Sequence, residues 1–132
     1  MKSRFATCLN CIDGRVQMPV IDWITQNYNV DYVDMITESG MDEFLANENC
    51  DQYHIMRKLG ISIGHHNSDS IFIVGHFDCE KKSAGEKTHK KQIKQAVERI
   101  KNYTLSCNVI GLWVSEDLQV QKICENKGQV FM

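Results

Sequence analysis

The sequence predicts an α/β fold. Residues 1–132 should form one domain on a mostly parallel sheet of four or five strands, in the order 2-1-3-4, with helices on both faces. Short apolar runs, typical of buried strands, alternate along the chain with longer segments of helical periodicity. Such alternation implies right-handed crossovers between parallel strands. The chain has a single proline and no internal repeat, and its length suffices for one hydrophobic core.

Five segments are predicted to be strands. The continuous apolar run at residues 71–74 is typical of a central strand that is buried on both faces. Residues 118–123 alternate between polar and apolar side chains well enough for an edge strand. In chain order, the predicted strands are residues 4–9, 32–37, 71–74, 109–114 and 118–123.

Three longer segments are predicted to be helices. Pro19 suits the first turn of a helix that runs to about Tyr28, because the missing N–H costs nothing there. Asn49 is expected to cap a helix that ends near Ile63. A third helix is predicted at residues 88–103. The residues expected to face the core are Val20, Ile21, Trp23 and Ile24 in the first helix, Tyr53, Met56, Leu59 and Ile63 in the second, and Ile93, Ala96, Val97 and Ile100 in the third.

The charge pattern does not favour a nucleic-acid or membrane partner. Every charged residue between positions 31 and 51 is acidic, whereas positions 80–101 carry eight Lys or Arg against three Glu. A net charge of −2 and a single aromatic residue near the basic stretch, Tyr103, favour a solvated helix face over a phosphate-binding surface. No apolar run approaches the roughly 20 residues that span a bilayer.

The N-terminus lacks the apolar stretch of a signal peptide, so a cytoplasmic location is expected. In that reducing compartment the six cysteines are expected to be metal ligands, nucleophiles or core residues rather than disulfides.

Chemically unusual residues follow two of the predicted strands. Cys11, Asp13 and Arg15 come after the first, and His76 and Cys79 come after the third. In parallel α/β folds the ligand site lies beyond the carboxyl ends of the strands. If the first group continues in an extended conformation, its three side chains share one side and face a common cavity.

Two thiolates and one imidazole form a suitable ligand set for Zn²⁺. Three protein ligands leave a fourth position open for water, and zinc can lower the pKa of that water from 15.7 to about 7. Asp13 can orient the water by accepting its hydrogen bond, and Arg15 can keep that carboxylate ionised and in place.

The two motifs together resemble those of the β-carbonic anhydrases. Cys-x-Asp-x-Arg ends one strand, and His-x-x-Cys follows a later apolar strand that ends in Val-Gly. The resemblance runs loosely over residues 5–123. It implies reversible hydration of carbon dioxide to bicarbonate and a proton. The residue roles it implies are zinc ligation by Cys11, His76 and Cys79, and a catalytic pair formed by Asp13 and Arg15.

The resemblance also implies a homodimer or a higher homo-oligomer, because the family builds its substrate pocket between subunits. The sequence departs from the family pattern at three places. Only ten residues precede Cys11, where the family usually has a helical arm that wraps a partner subunit. Glu80 replaces the usual glycine after the second cysteine, and residues 37–40 read Thr-Glu-Ser-Gly in place of an Arg-Asn-Ala-Gly-like segment. In part of the family the aspartate closes onto the metal, as Asp13 can do here.

Three alternatives remain open. The chain can be a catalytically silent zinc domain of the same fold, or a hydrolase of carbonyl sulfide or carbon disulfide. Cys8 and Cys11 form a Cys-x-x-Cys, which invites a redox interpretation. Their odd separation along a strand would place them on opposite faces, however, and the first helix is expected to begin well after Cys11, unlike in thioredoxin-like proteins. Solvated side chains are expected for His65 and His66, and no obvious partners for His54 and His89.

Overall fold

The computed structural model describes residues 3–77 and 85–129. Within these ranges strands alternate with helices, as the sequence predicts, and a short 3-10 helix at Gly14–Val16 precedes the first α-helix. The strands are β1 (Phe5–Asn10), β2 (Tyr32–Thr37), β3 (Ser70–His76), β4 (Asn108–Val114) and β5 (Val120–Asn126). The α-helices are α1 (Gln17–Asn27), α2 (Met41–Ala46), α3 (Tyr53–His66) and α4 (Gly85–Tyr103).

The sheet has the order β2-β1-β3-β4-β5, which confirms the predicted order 2-1-3-4. The first four strands are parallel, and β5 pairs antiparallel with β4 at one edge. Leu9 of β1 lies opposite Ile36 of β2 and Ile73 of β3. The carboxyl ends of these three neighbouring strands therefore emerge at the same edge of the sheet, where α/β folds place their ligand sites.

Helices cover both faces of the sheet. Val20 of α1 packs with Phe72 on one face. On the other, Leu59 of α3 and Ile93 of α4 pack with Ile73, and α2 adds to the same layer. Because β3 is buried along its whole length, consecutive residues of this strand supply both apolar layers. Each fully buried aliphatic or aromatic side chain contributes about 1.5–3 kcal/mol relative to an exposed one.

The first and last helices follow the prediction closely. α1 begins at Gln17, so Pro19 lies in its first turn as expected. Val20 and Ile24 of α1 are buried, whereas Ile21 and Trp23 are only half-buried. An amphipathic helix turns only a narrow stripe of side chains toward the sheet, and these two residues lie at its margins. The four residues expected to face inward on the last helix, α4, are all buried: Ile93, Ala96, Val97 and Ile100.

The start and orientation of α3 differ from the prediction. The helix begins at Tyr53 with Gln52 at its N-cap, so Asn49 does not cap it. Tyr53 is 71% exposed, and the buried stripe consists of Ile55, Leu59 and Ser62. Starting the stripe at residue 55 instead of 53 rotates the apolar face, which leaves Met56 and Ile63 only half-buried at its margins.

One helix and the start of the last strand also differ from the sequence prediction. Residues 41–46 form α2, which was not predicted; it follows Gly40, whose φ of 59° lies in the left-handed region. The last strand, β5, begins at Val120 rather than at Leu118, because Leu118 has a φ of 63° and belongs to the turn after β4. None of the helices in residues 3–77 and 85–129 combines the length and apolar composition needed to cross a membrane.

Candidate active site

Cys11 is the first residue after β1, and neighbouring amide side chains fix its backbone. The Asn10 side-chain Oδ1 accepts the Cys11 N–H at 2.8 Å, and the same amide donates to the Val16 carbonyl at 3.1 Å. The Gln17 side chain donates to the Cys11 carbonyl at 2.6 Å. Both polar groups of the Cys11 backbone are therefore paired, which determines the direction of its buried thiol.

His76 is the last residue of β3 and is buried. Since Leu9 pairs with Ile73, Cys11 and His76 leave the sheet side by side, two and three residues further along their strands. His76 also acts on the Cys11 thiol, whose pKa its side chain helps to lower. The other side of the imidazole is different: no partner among the described residues hydrogen-bonds to the buried Nδ1 of His76.

The surroundings of Cys11 favour its thiolate. Burial alone would raise the pKa of this thiol, but hydrogen bonds from the His76 side chain and from the backbone N–H groups of Asp13 and Gly40 outweigh it. The electrostatic interaction of the thiol with His76 acts in the same direction. The pKa of Cys11 is consequently lowered, and the thiolate is the form of cysteine that binds metals.

Asp13 and Arg15 form a bidentate ion pair at the rim of this site. The Arg15 Nε donates to Asp13 Oδ1 at 3.0 Å and its Nη2 donates to Oδ2 at 2.6 Å. The Arg15 hydrogen bond, supported by the Arg15 backbone N–H and by nearby positive charge, keeps the pKa of the Asp13 carboxyl well below its usual range. Asp13 is therefore ionised at neutral pH.

The segment that carries this pair is not extended, which corrects one expectation. Asp13 is the N-cap of the 3-10 helix Gly14–Val16, and its Oδ1 accepts the Arg15 N–H at 3.0 Å. Cys11 is buried, whereas the Arg15 side chain is 52% exposed. The two side chains consequently do not share one side of an extended strand. Asp13 and Arg15 meet through the tight turn instead.

The structure brings together two of the three predicted zinc ligands. Cys11 and His76 are adjacent, and Cys79 lies outside the described residues. Within residues 3–77 and 85–129 no group of three or more His, Cys, Asp or Glu side chains is arranged to bind a metal. A thiolate beside an imidazole is nevertheless a donor set that suits Zn²⁺, and the unpaired buried nitrogen of His76 is consistent with a ligand role. Cys11 and His76 therefore supply two donors of the kinds that zinc prefers.

Three residues that position the site were not predicted. Asn10 and Gln17 hold the Cys11 backbone, and the backbone of Gly40, which follows β2, helps to lower the pKa of the Cys11 thiol. Gly40 occupies the last position of the Thr-Glu-Ser-Gly segment that departs from the family pattern. For Asn10 and Gln17, the available sequence signal was an amide side chain directly before Cys11 and another six residues after it.

Cys8 does not have the surroundings of a redox cysteine. It is fully buried in β1, and this burial raises the pKa of its thiol, which disfavours the reactive thiolate. Cys8 and Cys11 pack in the same apolar cluster, so the expectation that they face opposite sides of the sheet is wrong, because the strand ends at Asn10. All five cysteines in the described ranges are free thiols.

Three of the four histidines outside the site have side-chain partners: His54, His66 and His89. His66 lies 2.7 Å from Asp34, and His54 lies 3.2 Å from Glu38. His66 also stacks on the ring of Phe5. His89 lies 2.7 Å from Asp42. The expectations that His66 is merely solvated and that His54 and His89 have no partner are therefore wrong.

Comparison with known proteins agrees with this architecture. A protein-family model described as "Putative carbonic anhydrase" matches residues 1–124. Tetrameric β-carbonic anhydrases of Sordaria macrospora superpose with a TM-score of 0.61 at 11% identity, over 96% of this chain and 84% of theirs. The β-carbonic anhydrase CafA of Aspergillus fumigatus gives 0.52 at 13% identity, over 92% and 76%. No curated protein matches the sequence. Because the family model covers nearly the whole length, the chain belongs to this carbonic anhydrase family, and its fold is that of the β-carbonic anhydrases.

Proposed function

We propose that the protein binds one Zn²⁺ through Cys11, His76 and Cys79 and catalyses the reversible hydration of carbon dioxide. The observation that carries this proposal is that Cys11 and His76 lie at the ends of the paired strands β1 and β3, beside the Asp13–Arg15 ion pair. Zinc-assisted hydration requires nitrogen or sulfur ligands and a charged group near the reacting water. The Cys11 thiolate and the His76 imidazole supply such ligands from two adjacent strand ends, and the Asp13 carboxylate beside them stays charged.

Each residue has a distinct part in this proposal. Cys11 supplies a thiolate whose formation is favoured by its hydrogen bonds, and His76 supplies a buried imidazole. When bound, zinc supplies the Lewis acidity that makes water nucleophilic near neutral pH. Asp13 is the acceptor that orients the reacting water, and Arg15 keeps it ionised by occupying both carboxylate oxygens. In the structure the carboxylate group of Asp13 points toward the Arg15 guanidinium.

The test is zinc content and carbon dioxide hydration measured on one preparation. We expect one zinc per chain and measurable hydration, and we expect Cys11→Ser to lose most of the zinc. Cys50→Ser is the matched control, because Cys50 is half-buried and lies in neither apolar cluster. Zinc without hydration of carbon dioxide or hydrolysis of carbonyl sulfide would indicate a silent zinc domain. A protein that takes up no zinc would refute the proposal.

We also propose that the protein is a homo-oligomer. Two large apolar side chains beside the candidate site are exposed: Ile12 at 66% and Met18 at 62%, one before and one after the 3-10 helix. Exposed apolar side chains next to a functional loop favour a protein interface. Light scattering after size exclusion should give a mass of at least twice 15.2 kDa, and Ile12→Lys should reduce it. A monomer at micromolar concentration would contradict this proposal.

A further inference from the structure

Phe77 is fixed at the end of β3, directly after the candidate ligand His76. Its backbone N–H donates to the Val114 carbonyl at 3.0 Å, which continues the pairing of β3 with β4 by one residue. The rings of His76 and Phe77 meet edge to face, with centroids 5.3 Å apart. The half-buried Phe77 ring packs against both apolar layers of the protein. The ring therefore has a well-defined position.

The guanidinium of Arg15 lies on this ring. Its Cζ is 4.8 Å from the centroid of Phe77, within the range of a cation–π contact. The same guanidinium donates to both carboxylate oxygens of Asp13. About half of the Arg15 side chain is exposed, and an ion pair at such exposure is weak unless its geometry is restrained. The aromatic face supplies a restraint that the ion pair alone lacks.

We propose that Phe77 is a positioning residue whose ring holds the Arg15 guanidinium in the orientation that pairs with Asp13. The ring thereby connects the strand that ends in His76 to the turn that carries the Asp13–Arg15 pair. Loss of the ring leaves Arg15 able to adopt other rotamers, and Asp13 is then free to turn away from it. The effect on catalysis rests on the function proposed above, but the contact itself can be measured without any activity.

The experiment is hydrogen exchange of the Arg15 Nε–H, followed by NMR in Phe77→Leu, Phe77→Tyr and Phe44→Leu. We expect Phe77→Leu to speed this exchange by about three- to tenfold, the equivalent of a cation–π contact. Phe77→Tyr keeps the ring and should exchange as the wild type does. Phe44→Leu is the control for loss of an aromatic ring, because Phe44 is also half-buried but contacts His54 on the surface of α2 and α3.

Zinc content and hydration rate are measured on the same variants. We expect Phe77→Leu to retain its zinc and to hydrate carbon dioxide more slowly, with Phe77→Tyr restoring the rate. The inference would be overturned if the exchange rate of the Arg15 Nε–H is unchanged in Phe77→Leu, or if it rises equally in Phe44→Leu. If Phe77→Leu does not fold, the wild type still decides: Arg15 side-chain protons without an upfield ring-current shift would refute the contact. A wild type whose Arg15 side-chain protons show the upfield ring-current shift, but which does not hydrate carbon dioxide, would refute the proposed function alone.

Discussion

The Asp42 carboxylate fills the space where a side chain at Gly75 would begin. A Cβ on Gly75 would lie 2.5 Å from Asp42 Oδ2 and 2.8 Å from Ile93 Cδ1. Asp42 is buried, and its Oδ2 accepts a hydrogen bond from His89 Nδ1 at 2.7 Å. This Asp–His pair connects α2 to α4. It packs against Gly75, the residue before His76 in β3. Position 75 therefore requires glycine for lack of space, with no need of an unusual backbone angle.

Gly75→Ala should lower the free energy of unfolding by about 1–3 kcal/mol, as overpacking does in other cores. The added methyl group must displace a carboxylate that His89 already fixes. Gly60→Ala is the matched control, because a Cβ at this exposed position of α3 meets nothing within 4 Å. That change should raise stability by roughly 0.5–1 kcal/mol through helix propensity. Urea unfolding measures both, and equal stability of Gly75→Ala and wild type would show that Asp42 moves at little cost.

Asn10→Ala should be costly for a different reason. It removes the partners of the Cys11 N–H and the Val16 carbonyl in a fully buried position, at about 1–3 kcal/mol for each unpaired group. If zinc binds as proposed, its affinity should also fall about 10- to 100-fold, as after loss of other groups that orient metal ligands. Urea unfolding and zinc titration test the two effects separately.

Asn27→Ala is the control for Asn10→Ala. Its side-chain amide bonds to the Trp23 carbonyl at 2.8 Å on the exposed surface of α1. Water can replace that bond, so the change should be within about 0.5 kcal/mol of wild type. Equal losses in the two variants would mean that the buried amide of Asn10 has no special role.

The sheet could be predicted because its evidence is local. The run at residues 71–74 is continuously apolar, and the structure buries the whole of β3. Strand–helix alternation then restricts the order of the parallel strands to few choices. The same reasoning placed Cys11 and His76 at neighbouring strand ends, where the structure has them.

The features that could not be predicted depend on contacts distant in sequence. The six residues of α2 are too few to display helical periodicity. Gln52 rather than Asn49 precedes α3, because the Gln52 side chain bonds to the carbonyls of Phe44 and Leu45. The Gly40 backbone lowers the pKa of the Cys11 thiol only because β1 and β2 are neighbours. Patterns within one segment carry no information on such contacts.

Asp13→Asn should separate catalysis from metal binding. The amide cannot carry the charge that Arg15 stabilises, so the variant should keep its zinc and hydrate carbon dioxide roughly 100-fold more slowly. Asp22→Asn, an equivalent change on the exposed surface of α1, should leave the rate unaltered. Stopped-flow hydration assays with zinc analysis provide the measurement. A full rate in Asp13→Asn would remove Asp13 from the mechanism.

The thiol of Cys8 should lower the free energy of unfolding in alkaline solution. Burial raises the pKa of this thiol above its ordinary value of 9.0, so the folded protein keeps a proton that the unfolded chain loses. The contribution of this protonated thiol to the free energy of unfolding is fully present below pH 9. It is lost as the pH rises further, at about 1.4 kcal/mol per pH unit. Cys8→Ala should therefore show a smaller decrease in the free energy of unfolding between pH 9 and pH 10 than the wild type.

The comparison requires urea unfolding at pH 8, 9 and 10 with a reductant present. Val20→Ala is the control, because Val20 is fully buried in the same apolar cluster and does not titrate. It should lower stability by a similar amount at each pH, whereas Cys8→Ala should approach the wild type as the pH rises. The thiols of Cys107, which is buried, and Cys124, which is half-buried, also have raised pKa values. Both remain in all three proteins, so their contribution cancels. Parallel pH profiles for Cys8→Ala and wild type would show that the Cys8 thiolate is tolerated in the folded protein.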